Sequence, residues 1–316
     1  MTNYELVSKL LDSYTQYRAD QEITALSYNM SWATQQNIPM GSEADFVEQC
    51  HSRSRMCYNA ALQRIKYIND NDSKIDVIGV QECEDANMET AMTSILPHLT
   101  CSYRAGVWNP VVKKFVGALL MWDPKVLGTI KNACTINLTN ALKDHNDVTQ
   151  TNDGRPCGIV ETTEGIILIV AHFPWFDDTI QKEQLEKFIS KNIKRKKRRV
   201  RENSIIIMAD TNDSKTLISK ENPFVIKGKN LSQNMTESEV KTQLKTCCWH
   251  EKGHIWKHYD DTGDYVLAET VNEIKIASME NVNQLLNKPT NDPEESNLYS
   301  DHKPVIAKVT INLPYD

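Results

Sequence analysis

The sequence predicts an α/β fold of layered sheets and helices. Three observations lead there. Apolar, β-branched runs end abruptly in polar residues, as buried strands do. Amphipathic stretches at helical spacing separate several of these runs. No repeat and no Pro/Gly/Ser-rich linker interrupts the pattern, so residues 1–316 read as a single domain with an extra N-terminal helix over 1–20.

Taken in order, residues 1–20 read as a short amphipathic helix with Leu6, Leu10 and Leu11 on one side. Ile23–Asn29 reads as a strand. Residues 44–69 read as a long helix, with Phe46, Cys50, Met56, Cys57, Ala60, Ala61 and Ile65 near helical spacing. Ile75–Glu82 is a continuous apolar run that ends in polar groups, and Lys114–Asp123 is another strand. Cys157–Phe173 reads as a hairpin turning at Glu164–Gly165. Residues 178–201 look helical: Asp178 and Gln181 form a capping pair, and Leu185, Phe188, Ile189 and Ile193 form the buried face. Ser204–Asp210, Asp264–Glu269 and Pro304–Ile311 complete the strands.

Bulk properties narrow the class. Apolar residues are 40% and charged residues 25%, within the globular range, and the net charge of −6 argues against a general polyanion binder. No run approaches the roughly 20 apolar residues of a membrane span, and the start lacks the basic-then-apolar pattern of a secretory signal. The eight cysteines contain no CxxC pair and read as reduced thiols, so the expectation is an intracellular protein, cytoplasmic or nuclear.

The polar residues at the strand ends form a coherent set. Asn29, Glu82 and His172 end three apolar runs, Asp210 and Asn212 end a fourth, Asp264 opens the next, and Asp301–His302 stand before the last. One charged group abutting a Val/Ile run is an ordinary strand terminus; four acids, two histidines and two amides in such places need another reason. Carboxylates are hard oxygen ligands suited to Mg²⁺ or Mn²⁺. With imidazoles for phosphate oxygens, the inventory suits metal-assisted hydrolysis of a phosphate ester.

These blocks, "LSYNMSW", "DVIGVQE", "IILIVAHF", "IIIMADTND", "GDYVLAE" and "YSDHKPV", occur in the order seen in the endonuclease/exonuclease/phosphatase superfamily, and the sequence resembles that family over residues 22–309. The resemblance implies a four-layer α/β sandwich, two packed mixed β-sheets flanked by helices, with the site at one edge. It implies Glu82 as principal metal ligand, with Asn29 nearby and Asp301 as a further metal-side carboxylate. It implies Asp210 as the group that orients or deprotonates the attacking water, and Asn212 as a positioner of phosphate or water. His172 and His302 become phosphate contacts, with Asp264 orienting His302. The usual "GDFN" block is "ADTN" here, with Ala209 and Thr211, but acid and amide remain. The run "QECEDANME" lacks the lysine of abasic-site endonucleases, and "TGDYVL" replaces the "WCDR" block of inositol 5-phosphatases.

Four further features each carry two readings. Arg155, in "DGRPCGIV", sits where family members often carry an arginine: a phosphate contact or a turn residue. Trp175 stacks on a base or packs. "CCWHEKGHIWKH" (residues 247–258) would place His250, His254 and His258 on one face if helical, which suggests zinc; its Gly253 argues for packed or surface residues instead. Lys191–Arg201 holds eight cations in eleven residues. That run is a solvated helix end, a nucleic-acid or membrane-surface contact, or an import signal at 194–199.

The functional expectation is a Mg²⁺- or Mn²⁺-dependent phosphodiesterase, nuclease-like, with nucleic acid as substrate. The alternative is a phosphomonoesterase for a phosphoinositide or nucleotide, and a third class is an inactive binding protein on this fold. The sequence leaves the oligomeric state unknown.

Overall fold

The computed structural model describes residues 18–30, 58–83, 86–110, 113–139, 154–174, 205–212, 250–252, 255–257, 263–268, 270–276, 302 and 304–314. The strands are β1 (Arg18–Asn29), β2 (Val77–Gln81), β3 (Cys101–Asn109), β4 (Lys114–Trp122), β5 (Ile130–Asn137), β6 (Pro156–Thr162) and β7 (Ile167–His172). They continue with β8 (Ile205–Asp210), β9 (His250–Lys252), β10 (Ile255–Lys257), β11 (Asp264–Ala268), β12 (Thr270–Ile276) and β13 (Val305–Pro314). The helices are α1 (Tyr58–Tyr67), which runs into a π turn at Ile68–Asp72, α2 (Met88–Ile95) and the single turn α3 (Pro124–Leu127).

Two mixed sheets result. The first has the order β12-β13-β1-β2-β4-β3 and the second β11-β8-β7-β6-β5. Each contains one parallel pair, β1 with β2 and β7 with β8, flanked by antiparallel neighbours. The two sheets face each other across one apolar layer that includes Ile23, Ala25, Val77, Leu120, Trp122, Leu168, Val170, Ile206, Met208, Val266 and Val309. Period-two alternation sends Leu26, Tyr28, Ile78, Val80, Leu119 and Met121 to the opposite face of the first sheet. There they pack with Ala61, Leu62 and Ile65 of α1 and with Met88 and Met92 of α2. Each such side chain, fully buried, contributes roughly 1.5–3 kcal/mol. The sequence therefore reads as strand wherever both faces are apolar.

The sheets approach each other tightly at Gly79 of β2. A Cβ there would meet Met208 Cβ of β8 at 2.6 Å, so only glycine permits the approach. Gln81 Nε2 donates across the same gap to the Met208 carbonyl (3.2 Å) and, within the first sheet, to Ser27 Oγ (3.3 Å). These contacts lie two residues below Asp210 and Asn29 and fix the spacing of the strand ends above them.

Among the described residues three layers are present: α1 and α2, the first sheet and the second sheet. The helix expected over 178–201 lies outside them, as does the part of the 44–69 helix before Tyr58. One expectation is corrected. Residues 18–20 are not helical: Arg18, Ala19 and Asp20 pair with Pro314, Leu313 and Asn312, because β13 offers a long partner to an otherwise unpaired backbone. In the "CCWHEKGHIWKH" block, where Gly253 already argues against the helical zinc reading, residues 250–252 and 255–257 are strands: β9 and β10 form an antiparallel pair with His250 opposite Lys257. A hairpin removes the shared helical face on which the zinc reading rested. Cys83, Cys101, Cys134 and Cys157 are free thiols. Among the described residues no helix is long and apolar enough to cross a membrane.

Candidate active site

Both parallel pairs end at the same edge of the sandwich. Asn29 of β1 is in register with Gln81 of β2, so Glu82 follows directly beside it. In the second sheet His172, Asp210 and Asp264 lie side by side in register on β7, β8 and β11. His302 precedes β13, which runs antiparallel to β1, and so returns to the same edge. Carboxyl ends of parallel strands leave such a crevice as a matter of topology. All of Asn29, His172, Asp210, Asp264 and His302 are buried.

Glu82 reaches the site by breaking the strand pattern. Strict alternation would place residue 82 on the helix side with Ile78 and Val80. Instead its φ is 54°, left-handed and unusual for a non-glycine residue. The Cys83 N–H donates to the Gly117 carbonyl at 2.8 Å and holds this turn. Asn29 Nδ2 donates to Glu82 Oε1 (3.2 Å) and Asp210 Oδ2 (2.8 Å), and lies 3.4 Å from His302 Nε2. Asn212 also has a left-handed φ, of 49°. Its backbone N–H donates to Asp210 Oδ1 (3.0 Å) and its Nδ2 to the Phe173 carbonyl (2.8 Å), so Asp210 is gripped from both sides. Left-handed non-glycine residues of this kind collect where surrounding structure enforces them, often at functional sites.

Burial pushes the Asp210 carboxyl up to about 7; Asp264 adds to this, while His302 and the hydrogen bonds from Asn29 and Asn212 oppose it. His302 Nδ1 is 2.8 Å from Asp264 Oδ2, and its Nε2 is 3.8 Å from Asp210 Oδ2. Asp264 thus fixes the ring and turns Nε2 toward Asp210. Thr211 Oγ1 donates to the Gly263 carbonyl at 3.0 Å, which anchors the start of β11 beside Asp210.

His172 has a different environment. Arg155 Nη1 lies 2.7 Å from His172 Nε2. Burial first, then the positive charge of Arg155 and the neighbouring His302, hold the imidazole well below its ordinary value, so it is neutral. A neutral ring whose Nε2 accepts from Arg155 is a support for the guanidinium. The same nitrogen lies 3.6 Å from Asp210 Oδ2 and 3.8 Å from Glu82 Oε1. The Arg155 backbone is itself fixed: its N–H donates to Asn137 Oδ1 (3.1 Å) and its carbonyl accepts from Leu138 N–H (2.9 Å). Arg155 therefore faces the crevice and is more than a turn residue.

The structure brings together Asn29, Glu82, Arg155, His172, Asp210, Asn212, Asp264 and His302. Asp301, Trp175 and the 191–201 run lie outside the described residues. Sequence reasoning missed Asn137, which organises the Arg155 loop. A hint was available in the "TINLTN" run, whose Asn and Thr residues form side-chain turns at a strand end.

The donor set fits a hard divalent cation: carboxylates and an amide converge, and one acid carries a raised proton affinity that a cation would reverse. Asp210, Asp264 and His302 hold donor atoms within 4.8 Å of one another. Spacing alone would make that trio a metal group, but Asp264 and His302 are already bonded to each other and buried. Glu82 keeps 20% of its side chain exposed and is the more open donor.

No protein-family profile matches the chain, and a search of curated proteins finds no match. Solved structures do match. An endonuclease/exonuclease/phosphatase family protein from Bacteroides thetaiotaomicron superposes with a TM-score of 0.55 at 13% identity, over 93% of this chain and 96% of its own. The chain has the endonuclease/exonuclease/phosphatase fold. The mannosyl-6-phosphatase of Bacteroides thetaiotaomicron shares it (TM-score 0.55, 15% identity, 91% of this chain and 99% of that one). So does ANGEL2, a 2′,3′-cyclic phosphatase (TM-score 0.54, 12% identity, 93% and 98%). At this fold's strand-end edge the chain carries Asn29, Glu82, His172, Asp210, Asn212, Asp264 and His302.

Proposed function

We propose that the protein is a divalent-metal-dependent phosphodiesterase acting on nucleic acid. One observation carries the reading: the ends of β1, β2, β7 and β8 bring Asn29, Glu82, His172 and Asp210 within hydrogen-bonding or ion-pair range of one another. Glu82 would hold Mg²⁺ or Mn²⁺, with Asn29 beside it and Asp301 as a further ligand on the family resemblance. The bound cation supplies charge neutralisation at the phosphate. Asp210, locked by Asn29 and Asn212, orients the attacking water and accepts its proton. Arg155, propped by neutral His172, binds a non-bridging phosphate oxygen. His302, aligned by Asp264, donates to the phosphate as negative charge builds in the transition state.

The lysine- and arginine-rich run at 191–201 supports nucleic acid over a small phosphoester, and the absence of a "WCDR" block speaks against inositol phosphates. A second reading, a phosphomonoesterase for a phosphoinositide or nucleotide, draws on Arg155, whose planar fork suits a terminal dianionic phosphate. The same sandwich in a mannosyl-6-phosphatase keeps that reading open. The test is a panel of labelled single- and double-stranded DNA, RNA and phosphoinositides with Mg²⁺. Internal or terminal cleavage of a polynucleotide supports the first reading; release of inorganic phosphate alone supports the second.

A further inference from the structure

The hairpin of β3 and β4 overhangs the Glu82 side of the crevice. Gly117 of β4 accepts the Cys83 N–H, and Arg104 Nη2 of β3 donates to the Cys83 carbonyl at 3.0 Å. On its other flank the hairpin meets the Arg155 loop: a Cβ on Gly154 would lie 3.0 Å from the Trp108 carbonyl oxygen and 3.1 Å from Asn109 Cβ. The hairpin is thus clamped between the two loops that carry Glu82 and Arg155. It continues past Gly117 to Phe115, two residues beyond the level of Glu82, or about 7 Å at strand rise.

On that projecting end two large aromatic residues face solvent. Trp108 is 51% exposed and Phe115 is 65% exposed, against complete or near-complete burial for most apolar residues of the strands. They are cross-strand partners in register, with ring centroids 5.4 Å apart and planes at 73°. An edge-to-face pair is self-supporting; it presents one flat ring face in a fixed orientation without burying it. Lys113, at the turn beside it, is exposed and has a φ of 55°.

We propose that the Trp108–Phe115 pair is a stacking platform for an unpaired nucleobase of a single-stranded nucleic acid, with Lys113 on the adjoining phosphate. This rests on the phosphodiesterase reading of the neighbouring site. Every base offers a π face, so stacking is tolerant of sequence, and a cation beside the ring matches the backbone charge. The rings share the outer face of the first sheet with Leu119 and Met121 and lie two residues along from Gly117 and the Cys83 carbonyl beside it, so a strand whose phosphate occupies the crevice would cross the Glu82–Cys83 lip to reach them. The platform makes the enzyme prefer unpaired strands, because a base inside a duplex cannot open a face to Trp108.

The test is binding of a fluorescein-labelled single-stranded oligonucleotide to the full chain in chelator, where no turnover occurs. Trp108→Ala and Phe115→Ala should each weaken binding roughly 5- to 100-fold, as base–aromatic stacks do on alanine substitution. An oligonucleotide of the same length lacking its bases should bind the wild type as weakly as it binds Trp108→Ala. Ile130→Ala, which removes an exposed apolar side chain at the end of β5 away from Asn137 and the crevice, should bind like wild type. Equal affinity of wild type and Trp108→Ala for the base-bearing strand would overturn the proposal. So would equal affinity of the wild type for base-bearing and base-free strands. Loss of sedimentation with phosphatidylserine vesicles in Trp108→Ala, with oligonucleotide binding intact, would reassign the pair to a lipid surface. If base-dependent binding is present but the wild type cleaves no polynucleotide with Mg²⁺, the platform stands and the catalytic reading fails.

Discussion

Replacing Asp210 by asparagine should make the metal-free protein more stable at neutral pH while destroying its activity. Asp210 is 1% exposed, and burial lifts its carboxyl from an ordinary 3.8 to about 7. A carboxyl whose folded pKa is raised binds its proton more tightly in the folded state. Its contribution to stability is therefore full below about 4 and is lost as pH rises through about 7. A difference of about three pK units corresponds to at most about 4 kcal/mol, at 1.36 kcal/mol per unit. Asparagine escapes that loss but keeps only one carbonyl oxygen, while Asn29 Nδ2 and the Asn212 N–H both donate to this side chain. One donor–donor contact results, at a cost of about 1–3 kcal/mol. The net gain for Asp210→Asn at about pH 8 is then about 1–3 kcal/mol, vanishing or reversing near pH 4. Urea unfolding of both proteins in chelator across this range measures it. Parallel stability curves, or a variant that is weaker at pH 8 than at pH 5, would refute the electrostatic account of Asp210.

Other outcomes follow from the same geometry. Glu82→Gln keeps shape but removes charge, so Mn²⁺ affinity measured by calorimetry should fall at least tenfold; unchanged affinity would move the metal to the Asp210, Asp264 and His302 group. Gly79→Ala should destabilise by about 1–3 kcal/mol, since a methyl group there collides with Met208 and forces the sheets apart below Glu82 and Asp210. Its activity should fall although residue 79 touches no substrate, and an unperturbed melting temperature would contradict the close-approach argument. Asp264→Asn should lower kcat more than it raises KM, by on the order of a hundredfold or more, because the ring of His302 loses its charged acceptor at Nδ1 and with it the fixed tautomer. Arg155→Ala should raise KM, and His172→Ala should mimic it in part, because His172 holds the guanidinium that Arg155 presents.

Much of the site was legible because burial on both faces writes a continuous apolar run, and a polar residue that ends such a run stands out. Asn29, Glu82, His172 and Asp210 were visible for that reason, and their topological convergence follows from two parallel pairs. The hairpin at Glu164–Gly165 was legible for the same reason, with Gly165 at a φ of 77°. β3 and β5 were not, because they lie at sheet edges: β5 is largely exposed and the apolar residues of its "IKNACTIN" form no continuous run. In the 247–258 block the i, i+4 histidine spacing suits a helix but Gly253 argues against one, and the pairing of β9 with β10 is set by the tertiary fold. Residues 18–20 misled because the amphipathic pattern before them does not announce the end of a helix. The link from His172 to Arg155, and with it the neutral state of that histidine, depends on two side chains meeting across β6 and β7, which spacing along the chain does not encode. The left-handed turn that swings Glu82 into the crevice is likewise a property of the fold, since nothing in a "QEC" triplet specifies it.

The central claim is that the strand-end cluster hydrolyses phosphodiesters with a divalent cation. Its most direct measurement is cleavage of a labelled single-stranded oligonucleotide by the purified wild type and by Asp210→Asn, with Mg²⁺ and with chelator. The account predicts cleavage by the wild type that stops in chelator and returns with Mg²⁺ or Mn²⁺, and a rate for Asp210→Asn lower by roughly 10²–10⁴-fold, the scale of a lost general base. Cleavage that persists in chelator, or that survives unchanged in Asp210→Asn, would contradict it.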